Sequence, residues 1–125
     1  MHENEISKII VDCAFRVHNE LGPGLLESVY EEALSYEIKK RGLNIERQKG
    51  IPVNYDNLKM ELGFRADIIV ENKVIIELKS IEEIAPVHSK QLLTYLRITG
   101  CKLGLLINFN EALIKDGIRR IVNNL

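Results

Sequence analysis

At 125 residues the chain can bury one core of useful size and not two. Apolar residues at 46% against 28% charged residues exclude a disordered chain. Seventeen basic residues against 18 acidic ones, a formal net charge of -1, exclude a protein that holds nucleic acid by bulk charge, so any grip on phosphate needs a local basic cluster or a bound metal.

In chain order, Ile6, Ile9, Ile10, Cys13 and Val17 recur at three-and-four spacing and predict an amphipathic helix over residues 5–20. Gly22 is placed to close it, and Pro23 suits the first position of a second helix running to about Lys40. Val29, Ala33, Leu34 and Ile38 are the inward residues expected of that helix, and Arg41-Gly42 its stop. Beyond Gly42 the pattern turns β-branched: Ile45 to Tyr55, Leu62 to Val70 and Val74 to Leu78 read as three antiparallel strands. Pro52 assigns the first of them to a sheet edge or a bulge. A third helix is expected from Pro86 to Thr99, stopped by Gly100. Leu103 to Phe109 then reads as a strand covered on both faces, and Leu113 to Val122 is ambiguous between strand and helix. The order predicts a single α/β domain over residues 1–125, with helices around a mixed sheet.

No apolar run approaches the ~20 residues that span a bilayer. The opening MHENEISKIIVDCAF carries acids before its apolar stretch and no small-residue cleavage site, unlike a secretory signal. Cys13 and Cys101 lie far apart in apolar surroundings, as buried free thiols would, and a cytoplasmic location is the expectation.

Chemistry concentrates in Asp67, Glu77 and Lys79, charged residues inside otherwise apolar strands. Alternation puts Glu77 and Lys79 on one face. The odd, three-residue loop Glu71-Asn72-Lys73 pairs Val70 with Val74 and sets Asp67 opposite Glu77; an even loop would send Asp67 to the other face. Two facing carboxylates repel, and a divalent cation turns that liability into a site: hard oxygen donors plus waters suit Mg²⁺ or Mn²⁺. Lys79 could then hold a water or an anionic transition state. The plainer alternative is a Glu–Lys or Asp–Lys ion pair on a solvated strand face. Upstream, Gly24, Glu27 and Tyr30 fall at i, i+3 and i+6, roughly one side of a helix. Downstream, Gln91 and Tyr95 stand at i, i+4 with His88 one turn earlier.

Gly24-Leu-Leu-Glu27-Ser-Val-Tyr30 resembles the GxxExxY signature of a small bacterial and archaeal family. Asp67, Glu77-Leu-Lys79 and Gln91-Leu-Leu-Thr-Tyr95 are similar to the D…ExK…QxxxY series of PD-(D/E)XK nucleases, especially RecB-type nuclease domains. Arg65-Ala66-Asp67 stands where that superfamily has Pro-Asp. The resemblance implies a restriction-endonuclease-like α-β-β-β-α-β core with one extra N-terminal helix. It further implies that Asp67, Glu77 and the Leu78 carbonyl bind Mg²⁺ (or Mn²⁺), with Glu27 reaching the same site directly or through water. Lys79 would orient or activate the water, and Gln91 and Tyr95 would support the site or touch the substrate backbone. Gly24, Tyr30, Arg65 and His88 fall to the same supporting or substrate-contact class.

Arg47, Lys49, Lys59, Arg65, His88 and Lys90 flank the proposed face, and Arg119-Arg120 lie in the tail, enough to direct several charges at phosphate. The expected activity is metal-dependent phosphodiester hydrolysis of nucleic acid, with DNA the expected substrate and no membrane partner. The alternatives are a catalytically idle relative that binds nucleic acid or a protein, and a structural homo-oligomer with a solvated acidic face. An edge strand and a tail strand are the elements through which a homodimer would form.

Overall fold

The computed structural model describes all of residues 1–125. Helix α1, Glu3–Leu21, begins two residues earlier than its apolar periodicity requires because His2 caps it. The His2 Nδ1 accepts from the Asn4 amide at 3.0 Å, and Glu5 Oε1 accepts from the His2 amide at 3.0 Å, a reciprocal cap built without Ser or Thr. At the other end Gly22 takes φ 70, open to glycine and strained for most residues, and its amide donates to the His18 carbonyl at 2.8 Å.

Helix α2 spans Glu27–Lys40, so Pro23 does not start it. Residues 22–26 form a connecting loop held from below by Tyr30: its hydroxyl donates to the Gly22 carbonyl at 2.5 Å and accepts from the Leu25 amide at 3.1 Å. The buried stripe keeps the expected Leu34 and Ile38 and takes in Tyr30 in place of Val29. Tyr30, Leu34 and Ile38 are fully buried at i, i+4 and i+8, whereas Val29, expected inside, is 39% exposed. Ala33 is half-buried against the same core, and Arg41 and Gly42 end the helix as the sequence predicts.

Strands β1 (Ile45–Tyr55), β2 (Leu58–Val70) and β3 (Val74–Lys79) form an antiparallel meander. Helix α3 (Pro86–Thr99) then crosses over to β4 (Leu103–Asn108), which runs parallel to β3. The ambiguous tail resolves into a single 3₁₀ turn, Ile114–Gly117, and strand β5, Ile118–Val122, antiparallel to β4. The sheet order is β1-β2-β3-β4-β5, mixed, with β1 and β5 as its edges. Pro52 lies on edge strand β1, where the register slips between Ile51 and Val53, so it withholds no hydrogen bond from a central ladder. Strand β2 starts at Leu58 rather than Leu62, because Asp56, left-handed at φ 54, and Asn57 join Tyr55 directly to Leu58.

Helices α1 and α2 cover one face and α3 the other, the arrangement of layers that the pattern of elements predicts. The α1/α2 side holds 19 buried core residues, among them Ile6, Ile10, Leu34, Ile68, Ile76 and Leu105. The α3 side holds only six, including Ala66, Ile75 and Leu92. Gly104 lets α3 sit low on β4, since a Cβ there would come within 2.9 Å of the Leu92 side chain. Among the charged residues of β2 and β3, Glu77 is buried and Asp67 and Lys79 are half-buried.

Candidate active site

Val70 pairs with Val74 across the three residues 71–73, the odd loop that the placement of the acids requires. Glu71 and Asn72 both take left-handed backbone to make this turn, and Glu71 is tied back to Asn44: its amide donates to the Asn44 carbonyl at 2.9 Å and its Oε2 accepts the Asn44 amide at 2.6 Å. Paired register between β2 and β3 ends at Ile68 and Ile76. Beyond that point β2 stays with β1 and β3 stays with β4, so the sheet forks.

Asp67 and Glu77 stand one residue into the fork, facing each other across the two strands. Asp67 Oδ2 accepts the Leu78 amide at 2.8 Å, and Glu77 Oε1 accepts the Asp67 amide at 3.3 Å. Each carboxylate therefore fills a gap in the ladder left by the other strand's departure. The N–H and C=O of one strand residue point the same way, so the Leu78 carbonyl shares this opening with Asp67.

Glu77 is 8% exposed. Burial, and then the charge of Asp67, pushes its carboxyl up to about 9; the neighbouring Lys79 ammonium offsets little of that. The Tyr95 phenol, reached from α3, is also raised, first by burial and then by the charges of Glu77 and Asp67. Its ring stacks on Phe64 of β2, centroids 3.8 Å apart and planes within 5°, which locks α3 against the arm of the fork that carries Asp67.

A hard divalent cation fits this donor set. Two carboxylates and a carbonyl supply oxygen only, and a cation would offset both causes that raise Glu77, its burial first and then the charge of Asp67. No group of three or more His, Cys, Asp or Glu side chains that could hold a metal ion converges in the chain, so side chains alone would not complete a coordination shell at the fork.

Glu27, expected as a third acid, is exposed at the first position of α2 and joins no ion pair or side-chain hydrogen bond. The acid of α2 that is linked to the fork is Glu31, one turn on and 8% exposed. Its Oε2 takes Arg47 at 3.0 Å, and its Oε1 accepts Gln48 Nε2 at 2.5 Å; the same nitrogen donates to Asp67 Oδ1 at 3.2 Å. Glu31 and Gln48 were not marked by the sequence: Glu31 falls outside the motif spacing, and Gln48 sits in a strand whose alternation gives no hint of its left-handed φ of 49.

The remaining candidates occupy distinct positions. Ser80, directly after Lys79, donates to the Leu25 carbonyl at 2.5 Å, so the Gly24 loop abuts the end of β3 beside the fork. His88 accepts the Ala85 amide on Nδ1 at 3.0 Å and caps α3. Gln91 is exposed on α3, one turn before Tyr95. Asn108, opposite Lys79 on β4 and fully buried, was also unmarked by the sequence. It clamps the chain leaving β3 through Ile81, accepting its amide at 3.1 Å and donating to its carbonyl at 2.9 Å.

Of the basic residues, Arg47 is committed to Glu31 and Glu32, and Lys49 to Glu46. Lys59, Arg65, Lys79 and Lys90 join no ion pair and remain available. Arg119 and Arg120 lie on β5 at the far edge. The largest concavity, about 1050 Å³, runs between α1 and α2 past Leu21, Val29 and Tyr36 and is lined by none of the candidate residues.

A mixed sheet of this order, flanked by helices on both faces and bearing D…ExK at its fork, defines a restriction-endonuclease-like α/β protein. The family model of the PD-(D/E)XK nuclease superfamily matches residues 4–121, and the chain belongs to that superfamily. No curated protein matches the sequence. No helix is long and apolar enough to cross a membrane.

Proposed function

We propose that the chain is a Mg²⁺- or Mn²⁺-dependent phosphodiesterase that hydrolyses nucleic acid, with DNA as the substrate, and that within the superfamily it is of the GxxExxY kind. The observation that carries this is the facing pair at a sheet fork, Asp67 half-buried and Glu77 buried, with Lys79 on the Glu77 face of its strand. Asp67, Glu77 and the Leu78 carbonyl would hold the cation. Bound there, it supplies the positive charge that polarises a phosphodiester and acidifies a water. Lys79 would hold the attacking water or the charge developing on the phosphoryl oxygens; hydrolysis joins the water oxygen to phosphorus and breaks the P–O3′ bond, with one proton of the water passing to the 3′ oxygen. Glu27 precedes Glu31 by four residues on one helix face, so its free carboxylate is available for a water-mediated contact. Arg65, Lys59 and Lys90 bind the substrate backbone, while Gln91 and Tyr95 line the approach from α3.

Free thiols at both Cys13 and Cys101 support a cytoplasmic place for this activity. The test is cleavage of plasmid and linear DNA in Mg²⁺ or Mn²⁺ by wild type and Lys79→Ala. Loss of about 10²–10³-fold in the variant, with melting shifted by no more than a few degrees, is expected. Equal cleavage by both proteins refutes the assignment. Cation binding without cleavage by the wild type leaves a nucleic-acid-binding module instead.

A further inference from the structure

Gln48 is the one residue in the middle of β1 with left-handed backbone, φ 49. Such a conformation is unfavourable for a side chain with a Cβ and persists only where surrounding contacts hold it. Its effect is visible in the register: Arg47 pairs with Ile68 and Lys49 with Ala66, while Gln48, which falls opposite Asp67, drops out of the ladder. The side chain is thereby released from the strand's alternation. Its amide nitrogen lies 2.5 Å from Glu31 Oε1 and 3.2 Å from Asp67 Oδ1.

We infer that Gln48 is a positioning residue, which fixes the Asp67 carboxylate by donating one amide hydrogen to it and the other to Glu31. The amide group is the only part of glutamine with two donors, and both acceptors here are carboxylate oxygens. Without that nitrogen between them, Glu31 and Asp67 would be like charges with no donor in common. Glu31 is itself anchored, by Arg47 Nε at 3.1 Å and Nη2 at 3.0 Å. The chain Arg47–Glu31–Gln48–Asp67 ends at the Leu78 amide, held by Asp67 Oδ2 at 2.8 Å. Helix α2 and three strands are thus joined through one carboxylate, whose two oxygens are each turned by a named donor. This rests on the metal-site reading for its functional meaning, but the positioning itself is a property of the metal-free protein.

The test uses Gln48→Met, which keeps length and removes both donors, and Gln48→Gly, which removes them while relieving the left-handed backbone. In the metal-free proteins, amide hydrogen exchange at Leu78 reads the grip of Asp67, with the Ile76 amide as the internal control. Both variants should exchange Leu78 at least tenfold faster than wild type with Ile76 unchanged, and Gln48→Gly should melt no lower than Gln48→Met. A Mn²⁺ titration should then show about 10–100-fold weaker binding in both, the usual effect of removing a partner that orients a ligand. Unchanged Leu78 exchange in both variants overturns the inference, whatever the titration gives. Accelerated Leu78 exchange alongside a wild type that binds no Mn²⁺ upholds the positioning role and refutes the metal site instead.

Discussion

Glu77 concentrates the physical chemistry of this protein in one side chain. It is buried beside another carboxylate, and in the metal-free fold it keeps its proton up to about 9, against an ordinary value of 4.5. Between those values the folded chain binds more protons than the unfolded one, so the contribution of Glu77 to stability is fully present below about pH 4.5 and is lost as pH rises towards 9. Urea unfolding in EDTA at several pH values across that window should show stability falling by a few kcal/mol. Saturating Mg²⁺ should flatten the decline, and Glu77→Gln should abolish it. A flat profile for the metal-free wild type would mean that the two acids do not confront each other in solution. That Asp67 faces Glu77 could be read from the amino acids alone, because strand alternation and the parity of a turn are properties of local sequence. Gln48 could not, since one residue in left-handed backbone reverses the direction its side chain would otherwise take.

At the scale of elements, α2 begins at Glu27, four residues after the start that the sequence predicts at Pro23. Proline after glycine is a sound signal for a helix beginning at Pro23, but the carbonyl of Gly22 and the amide of Leu25 are both satisfied by the Tyr30 hydroxyl, and that arrangement needs the loop to stay unwound until Glu27. The contact is made by a residue eight positions after Gly22, beyond the reach of a local capping rule. Tyr30→Phe retains the stack on Phe109, whose centroid lies 4.5 Å away, and removes only the hydroxyl. It should lower stability by about 1–2 kcal/mol and speed exchange of the Leu25 amide, measured by denaturant unfolding and hydrogen exchange. Stability unchanged within error would show that the loop is held by other contacts. The turns were more readily foreseen than the strand boundaries: Asp56-Asn57 and Glu71-Asn72-Lys73 match the observed turns and Pro52 marked the edge strand and its register slip, but β2 begins at Leu58, four residues before the expected Leu62.

Across the whole molecule, the two core clusters divide labour. The larger cluster under α1 and α2 holds 19 buried residues and the smaller one under α3 holds six, among them Ala66 and Ile75 next to the fork. The layer order followed from the sequence of helical and strand patterns, whereas the tail strand did not: Ile118-Arg119-Arg120-Ile121-Val122 lacks a two-residue alternation and takes its strand identity from the neighbouring β4, a tertiary choice. Because the acids at the fork raise the energy of the metal-free fold, cation binding should be read out as global stability. At 100 times its dissociation constant Mg²⁺ or Mn²⁺ adds about 2.7 kcal/mol, a melting shift of roughly 10 °C for a chain of this size, and EDTA should reverse it. An equal shift with Asp67→Asn in place of wild type would place the cation elsewhere. The most direct measurement is an anomalous difference map from a crystal soaked in Mn²⁺. A single strong peak between the Asp67 and Glu77 carboxylates, within coordinating distance of the Leu78 carbonyl, is the predicted result; full-occupancy Mn²⁺ bound only at other residues would contradict it.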